Sequence, residues 1–134
     1  MSSPALDTWH RLVRTGDAAG LHELVAEDAV FHSPVVHAAQ HGRETTVLYL
    51  SAAFRVFFNP SFRYVRELVG PNDAMLEFET EIDGIRVNGV DLITWNAENR
   101  ITSFKVMLRP LKGMSVVHQK MGELLAAARP KQAD

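Results

Sequence analysis

The chain contains no cysteine, which removes disulfides, zinc–thiolate sites and thiol catalysis together. It has no apolar run approaching the length of a bilayer span. Its start, MSSPALDTWHRLV, lacks the basic segment and unbroken apolar stretch of a signal peptide. The expectation is a cytoplasmic protein with no membrane contact. Charge of one sign is missing as well: fourteen basic against sixteen acidic side chains leave a formal charge of −2, with Lys and Arg scattered along the chain. Nucleic acid and anionic membrane surfaces need a concentrated positive patch, so neither is an expected partner. Internal repeats and low-complexity segments are absent too.

What is present is ordinary globular composition, 46% hydrophobic and 22% charged over 134 residues. That length supports one substantial core and not two, so a single domain spanning residues 1–134 is expected. The polar end from residue 129 is expected to fray.

Leu6, Trp9 and Val13, with Leu12 alongside, give helical spacing over Pro4–Thr15. Gly16 can close that helix and Asp17 can cap a second one carrying Leu21, Leu24 and Val25, ended by Glu27-Asp28. Residues 29–32 read as a short strand stopped by Ser33-Pro34, and a loop with His37 and His41 runs to Gly42. A third helix over residues 43–58 carries Val47, Leu50, Phe54 and Phe57 on one stripe.

Strands follow. Residues 62–69 are rich in β-formers but alternate poorly, whereas residues 74–82 alternate cleanly, Leu76, Phe78, Thr80 and Ile82 against Met75, Glu77, Glu79 and Glu81. Asp83-Gly84 signals a hairpin into Ile85–Trp95, and Ile101–Arg109 makes the last strand. Met114, Val117, Met121, Leu124 and Ala128 then place a final amphipathic helix. The order gives an α+β class: a cone of curved antiparallel sheet wrapped around N-terminal helices, closed by a C-terminal helix, with a cavity between layers.

Asp91 stands out. Its neighbours Val90, Leu92, Ile93 and Trp95 are apolar or aromatic, so its carboxyl must find a partner or give up its charge. It can face the cavity, bond backbone amides at a bulge near Gly89, or be solvated at an edge. Facing the cavity, it would have a raised pKa and could donate a hydrogen bond to a ligand carbonyl. The Glu77, Glu79 and Glu81 stripe lies on the opposite face, where Arg63, Arg66 and Arg86 are its expected cross-strand partners. His32, His37 and His41 fit no familiar zinc spacing, so no metal is expected. Val90, Leu92 and Thr94, joined by Met75 and Met107, make the outer sheet face apolar and predict a homodimer through it.

Several motifs in order resemble the nuclear transport factor 2-like superfamily, in its SnoaL-like and ketosteroid-isomerase-like branches. They are Thr15-Gly16-Asp17 with Leu21 and Leu24, Glu27-Asp28-Ala29-Val30-Phe31, Ser33-Pro34, His41-Gly42-Arg43-Glu44, and Gly89-Val90-Asp91 with Asn99-Arg100-Ile101. The resemblance implies a cystatin-like fold, but that fold carries isomerases, dehydratases, epoxide hydrolases, cyclases and binding modules. Where ketosteroid isomerases place a general-base Asp, this chain has Ser33, a poor base unless activated. Their oxyanion hole pairs a first-helix Tyr with a protonated acid on the long hairpin; Trp9 stands near the former position and Asp91 matches the latter. The carboxylate that epoxide hydrolases and cyclases carry on the last long strand corresponds to Val106.

The sequence thus predicts a pocket lined by Trp9, Phe31, Val47, Phe54, Phe78, Phe104, Val106 and Leu108, with Asp91, Ser33 and His37 as candidate polar or catalytic groups and no cofactor. Its occupant would be a small hydrophobic molecule bearing a carbonyl or hydroxyl. Two rival functions are an isomerase or dehydratase of a cyclic ketone or polyketide-like metabolite, with His37 or Ser33 as base, and a protein-interaction module whose cavity is filled by its own side chains.

Overall fold

Pro at the first turn, whose missing amide costs a helix nothing there, opens α1 (Pro4–Thr15) in the computed structural model, which describes residues 3–128. Gly16 closes it in the left-handed conformation (φ 68°), where the amides of Gly16 and Asp17 bond back to Val13 and Leu12. Asp17 then accepts from the Ala19 amide at 3.1 Å and caps a short 3-10 turn. The second helix is a single turn, α2 (Leu21–Leu24), and not the longer element expected. Residues 25–28 instead begin β1 (Val25–His32), where Val25 pairs with Ile101. Tertiary pairing of a β-branched residue overrides the local helical spacing.

A two-residue strand β2 (Gln40–His41) lies within the expected loop and pairs with β1. Gly42, at φ 98°, turns the chain into α3 (Arg43–Phe57). Next come β3 (Arg63–Val69), β4 (Asp73–Ile82), β5 (Ile85–Trp95), β6 (Ile101–Arg109) and α4 (Leu111–Ala128). The frayed end expected from residue 129 lies outside the described residues.

The six strands form one sheet in the order β2-β1-β6-β5-β4-β3. It is mixed, not wholly antiparallel, because β1 runs parallel to β6. The long excursion through α3 and the β3–β5 meander brings the chain back alongside β1 in the same direction, a crossover that a hairpin cannot supply. Register shifts near Val25–Val30, Tyr64–Arg66 and Thr94–Trp95 bend the strands around the helices.

The core lies between the inner sheet face and α1 and α3, with Trp9, Leu12, Leu50, Phe54, Leu76, Phe78, Ile93 and Phe104 all buried. On β5 the inward position opposite Phe78 is Gly89, and a Cβ there would come within 2.6 Å of the Phe78 ring and 2.7 Å of the Met107 carbonyl. The glycine therefore makes room for the aromatic ring that floors the interior. Outside, Arg63 pairs with Glu79 at 2.8 Å and Arg66 with Glu77 at 3.2 Å, the cross-strand arrangement the stripe implied.

Candidate functional site

Strand parity turns Asp91 inward, between Leu76 of β4 and Val106 of β6, and it is only 6% exposed. One partner meets it. The Tyr64 hydroxyl donates to Asp91 Oδ2 at 2.8 Å, and that same hydroxyl oxygen accepts from Trp9 Nε1 at 3.0 Å. Among the described residues Asp91 Oδ1 has no protein partner. Burial pushes the Asp91 carboxyl up to about 7, although the Tyr64 hydrogen bond pulls the other way. Burial, then the charge of Asp91, raises the Tyr64 phenol well above its ordinary value. A hydrogen-bond chain from indole to phenol to a readily protonated acid therefore crosses an apolar interior.

Tyr64 is the residue that the sequence pattern missed. The bulge between Tyr64 and Arg66 breaks the period-2 alternation of β3, so the pattern of the strand as a whole does not mark Tyr64 as inward. The spacing of Phe62 and Tyr64, two apart on a β-rich run, was the available signal.

The cavity at Asp91 holds only about 20 Å³. That is room for about one water, against the roughly 300–1,000 Å³ of ligand pockets, and it corrects the expectation of an open pocket. Trp9, Phe54, Phe78, Phe104 and Val106 line it with Asp91, joined by Phe57, Phe58 and Phe62. The indole of Trp9 packs 4.9 Å from Phe104 and 5.6 Å from Phe54, while Phe62 packs 4.5 Å from Phe58 and 5.4 Å from Phe78. Phe31, Val47 and Leu108 do not line it. Phe31 stacks between Tyr49 and Phe104 deeper in the core, Val47 is half-buried on α3, and Leu108 borders another cleft.

That other cleft holds Ser33 and His37 together with His32, Pro34 and Lys105, and it shares Val106 with the cavity. The structure therefore does not bring Ser33 and His37 to Asp91. The Ser33 hydroxyl accepts from the amides of Val35 and Val36 at 3.1 and 3.3 Å, a turn-forming role, and His37 is exposed. Among the described residues no group of three His, Asp or Glu side chains is placed to hold a metal.

Behind Phe58 and Phe62 lies a surface cleft of about 510 Å³ between α1, the end of α3 and β3, walled by both phenylalanines, Tyr64, His10, Arg14 and Glu67. His10 Nε2 lies 2.7 Å from Glu67 Oε1, and its ring stands edge-on to Tyr64 at 5.5 Å. Cleft and cavity share Phe58 and Phe62 as a common wall.

An α+β cone with an acid and a phenol at its centre defines a protein of cystatin-like, nuclear transport factor 2-like fold. The model of the SnoaL-like domain matches residues 6–104, and the chain belongs to that family. It is similar to a steroid delta-isomerase from Pseudomonas aeruginosa, at 32% identity over 94% of this chain and 97% of that one, with a TM-score of 0.88. It is similar to an uncharacterised protein with a cystatin-like fold from Silicibacter pomeroyi DSS-3, at 32% identity over 90% and 84% of the two chains and a TM-score of 0.82. An NTF2-like protein of unknown function from Mesorhizobium loti shares the fold, at 24% identity over 79% and 88% and a TM-score of 0.68. A search of curated proteins found no match. No described helix is long and apolar enough to cross a membrane.

Proposed function

We propose that this protein binds a small hydrophobic molecule bearing a carbonyl or hydroxyl, which enters from the α1–β3 cleft and hydrogen-bonds to Asp91. The observation that carries this is the free Oδ1 of a buried carboxyl on an aromatic-walled cavity, one phenylalanine layer beneath a ligand-sized cleft. A carboxyl oxygen that meets no protein partner and borders an aromatic-walled cavity is open to a matching ligand group. Below about pH 7 the carboxyl is neutral and donates; its Tyr64 bond fixes which oxygen remains for the ligand. The ligand must displace Phe58 and Phe62, because the cavity as it stands is too small.

Phe62→Ala removes the wall and is the test. Titration of tryptophan fluorescence with a panel of cyclic ketones and 2-naphthol is expected to give Phe62→Ala at least about fivefold tighter binding than wild type, as the displacement cost falls. Failure of every compound to bind either protein refutes the proposal.

A second reading, isomerisation of a cyclic ketone, is supported by the likeness to the Pseudomonas delta-isomerase and by an acid able to stabilise a developing enolate oxygen. It needs a base that Ser33 and His37 do not provide.

We also propose a homodimer through the outer sheet face. Leu68 is 59% and Met107 50% exposed, and cross-strand register joins them through Met75, Leu92 and Val90 into one patch. Its border carries the Arg66–Glu77 ion pair and Lys105, and this mixture of signs suits a second copy better than a partner of one charge. Sedimentation is expected to give a dimer that Met107→Glu converts to monomer. A wild-type protein monomeric at about 100 μM would be outside any useful dimer affinity and would sink the proposal.

A further inference from the structure

The cleft that holds Ser33 and His37 has no acidic side chain on its walls, and the functions proposed above leave it unused. It opens where β1 stops at His32 while β6 runs on to Arg109, along the edge of β6 that has no ladder partner there. Phe31 and Phe104 pair across the two strands and are both buried, so the next pair along the ladder, His32 and Lys105, stands together on the other face. Neighbouring strands lie about 5 Å apart, which sets an imidazole beside an ammonium. The turn at Ser33-Pro34 brings His37 to the same wall. Among the described residues none of these three side chains makes an ion pair.

Ser33 adds to the set. A hydroxyl has two lone pairs and one proton, and here the amides of Val35 and Val36 occupy the lone pairs at 3.1 and 3.3 Å. Its O–H is left to donate. Lys105 has donors alone, and each imidazole carries an N–H. Every polar side chain of the cleft can therefore donate, and no carboxylate is present to compete for those protons. Such a wall fits an oxyanion. The donors come from β1, the loop after it and β6, so they converge from different directions, as the tetrahedral oxygens of a phosphate require. A planar carboxylate is best met by the fork of an arginine, and no arginine lines the cleft. The remaining wall is apolar, from Pro34, Val106, Met107 and Leu108, and the space of about 340 Å³ is that of a small organic ligand and larger than a bare phosphate fills.

We propose that this cleft binds a small organic phosphate monoester, with its phosphoryl oxygens on Lys105, His32, His37 and the Ser33 hydroxyl and its apolar part against Pro34 and Met107. Asp91 takes no part, having no atom on this cleft.

Phenyl phosphate, inorganic phosphate and benzoate are the probes, at about pH 7.5, where a phosphate monoester is mostly dianionic. In the wild-type protein phenyl phosphate should shift the C2–H proton resonances of His32 and His37, assigned with His32→Gln and His37→Gln, and leave those of His10, His22 and His118 in place. Inorganic phosphate should shift the same resonances with several-fold lower affinity, and benzoate should bind at least about tenfold more weakly than phenyl phosphate. By calorimetry Lys105→Met and His32→Gln should each weaken phenyl phosphate by about tenfold, the loss of one charge-assisted hydrogen bond. Arg86→Gln removes an exposed cation from a different cleft and should stay within about twofold of wild type. Lys105 also borders the proposed dimer patch, so His32→Gln decides if Lys105→Met alters sedimentation. The site is overturned if the shifts spread evenly over all the histidines or fall on His10 instead. Benzoate binding as tightly as phenyl phosphate, or Arg86→Gln costing as much as Lys105→Met, would overturn it too, as would the absence of any shift at about 20 mM phenyl phosphate.

Discussion

Asp91→Asn should be more stable than the wild-type protein at about pH 8.5 and no more stable at about pH 4.5. The folded carboxyl sits at about 7 against 3.8 for the ordinary group, so between those values the folded chain holds a proton that the unfolded chain releases. Stability from this group is complete below the unfolded pKa, falls as pH rises, and is gone above the folded one. A displacement of that size is worth roughly 4 kcal/mol, good to about a factor of two. Asn keeps the shape of the neutral acid and an oxygen for the Tyr64 hydroxyl, and it cannot ionise. Subtracting the two stability–pH curves, measured by urea melts, cancels every other titrating group. The difference should grow by about 2–4 kcal/mol across that window. Parallel curves would mean that Asp91 ionises without penalty, in contact with bulk water, and the interior acid on which the functional proposals depend would be lost.

Trp9→Ala should have the largest effect of any single change in the interior. The indole is buried, packs against Phe54 and Phe104, and donates to Tyr64. Truncating a core Trp costs about 3–5 kcal/mol through lost transfer energy and the cavity left behind, and here the Tyr64 oxygen loses a donor as well. That is a large fraction of a typical domain's roughly 5–15 kcal/mol. The vacated volume adjoins the cavity at Asp91, and an apolar hole of indole shape in a rigid interior binds what fits it. Indole should therefore restore stability in proportion to its concentration, by about 2.7 kcal/mol at a hundred times its dissociation constant. Indene has the same outline without the N–H and should bind several-fold more weakly, because it leaves the Tyr64 oxygen without a donor. Equal rescue by both would deny the Trp9–Tyr64 bond any share, and absence of rescue would mean that the core collapses into the gap. Trp9→Phe, which retains most of the ring volume, should cost about 1–2 kcal/mol.

Much of the site's location was legible because some of its determinants are local. A carboxylate within a valine, leucine and isoleucine run has few stable places, and the family resemblance, more than the alternation of a strand apolar on both faces, put Asp91 on the face of β5 that looks inward. Trp9 follows from the periodicity of α1, and Phe78 and Phe104 from the alternation of their strands. Ser33 and His37 were drawn in by proximity in sequence to the first strand and by the resemblance. Yet a serine before a proline can form a turn as readily as face a pocket, and the Val35 and Val36 amides took its oxygen. The open pocket was overestimated for a related reason. Counting inward residues gives the lining of a cone, while its free volume depends on whether rings such as Phe58 and Phe62 fold in or stand aside.

Patterns of period 2 and period 3.6 by themselves determined the α+β class, the bounds of β5 and β6 and the inner face of β4, and they marked Asp91 without choosing among its three possible environments. These depend on which side of a regular element a residue occupies, which spacing alone dictates. Only the tertiary structure decided that Tyr64 completes the hydrogen-bond chain, that β1 pairs in parallel with β6, that His10 meets Glu67, and that the interior is nearly full. Each of these brings together residues that are distant in the chain, or turns on a bulge that breaks the period. Such contacts are selected by packing of the whole chain, which is not encoded in any one stretch.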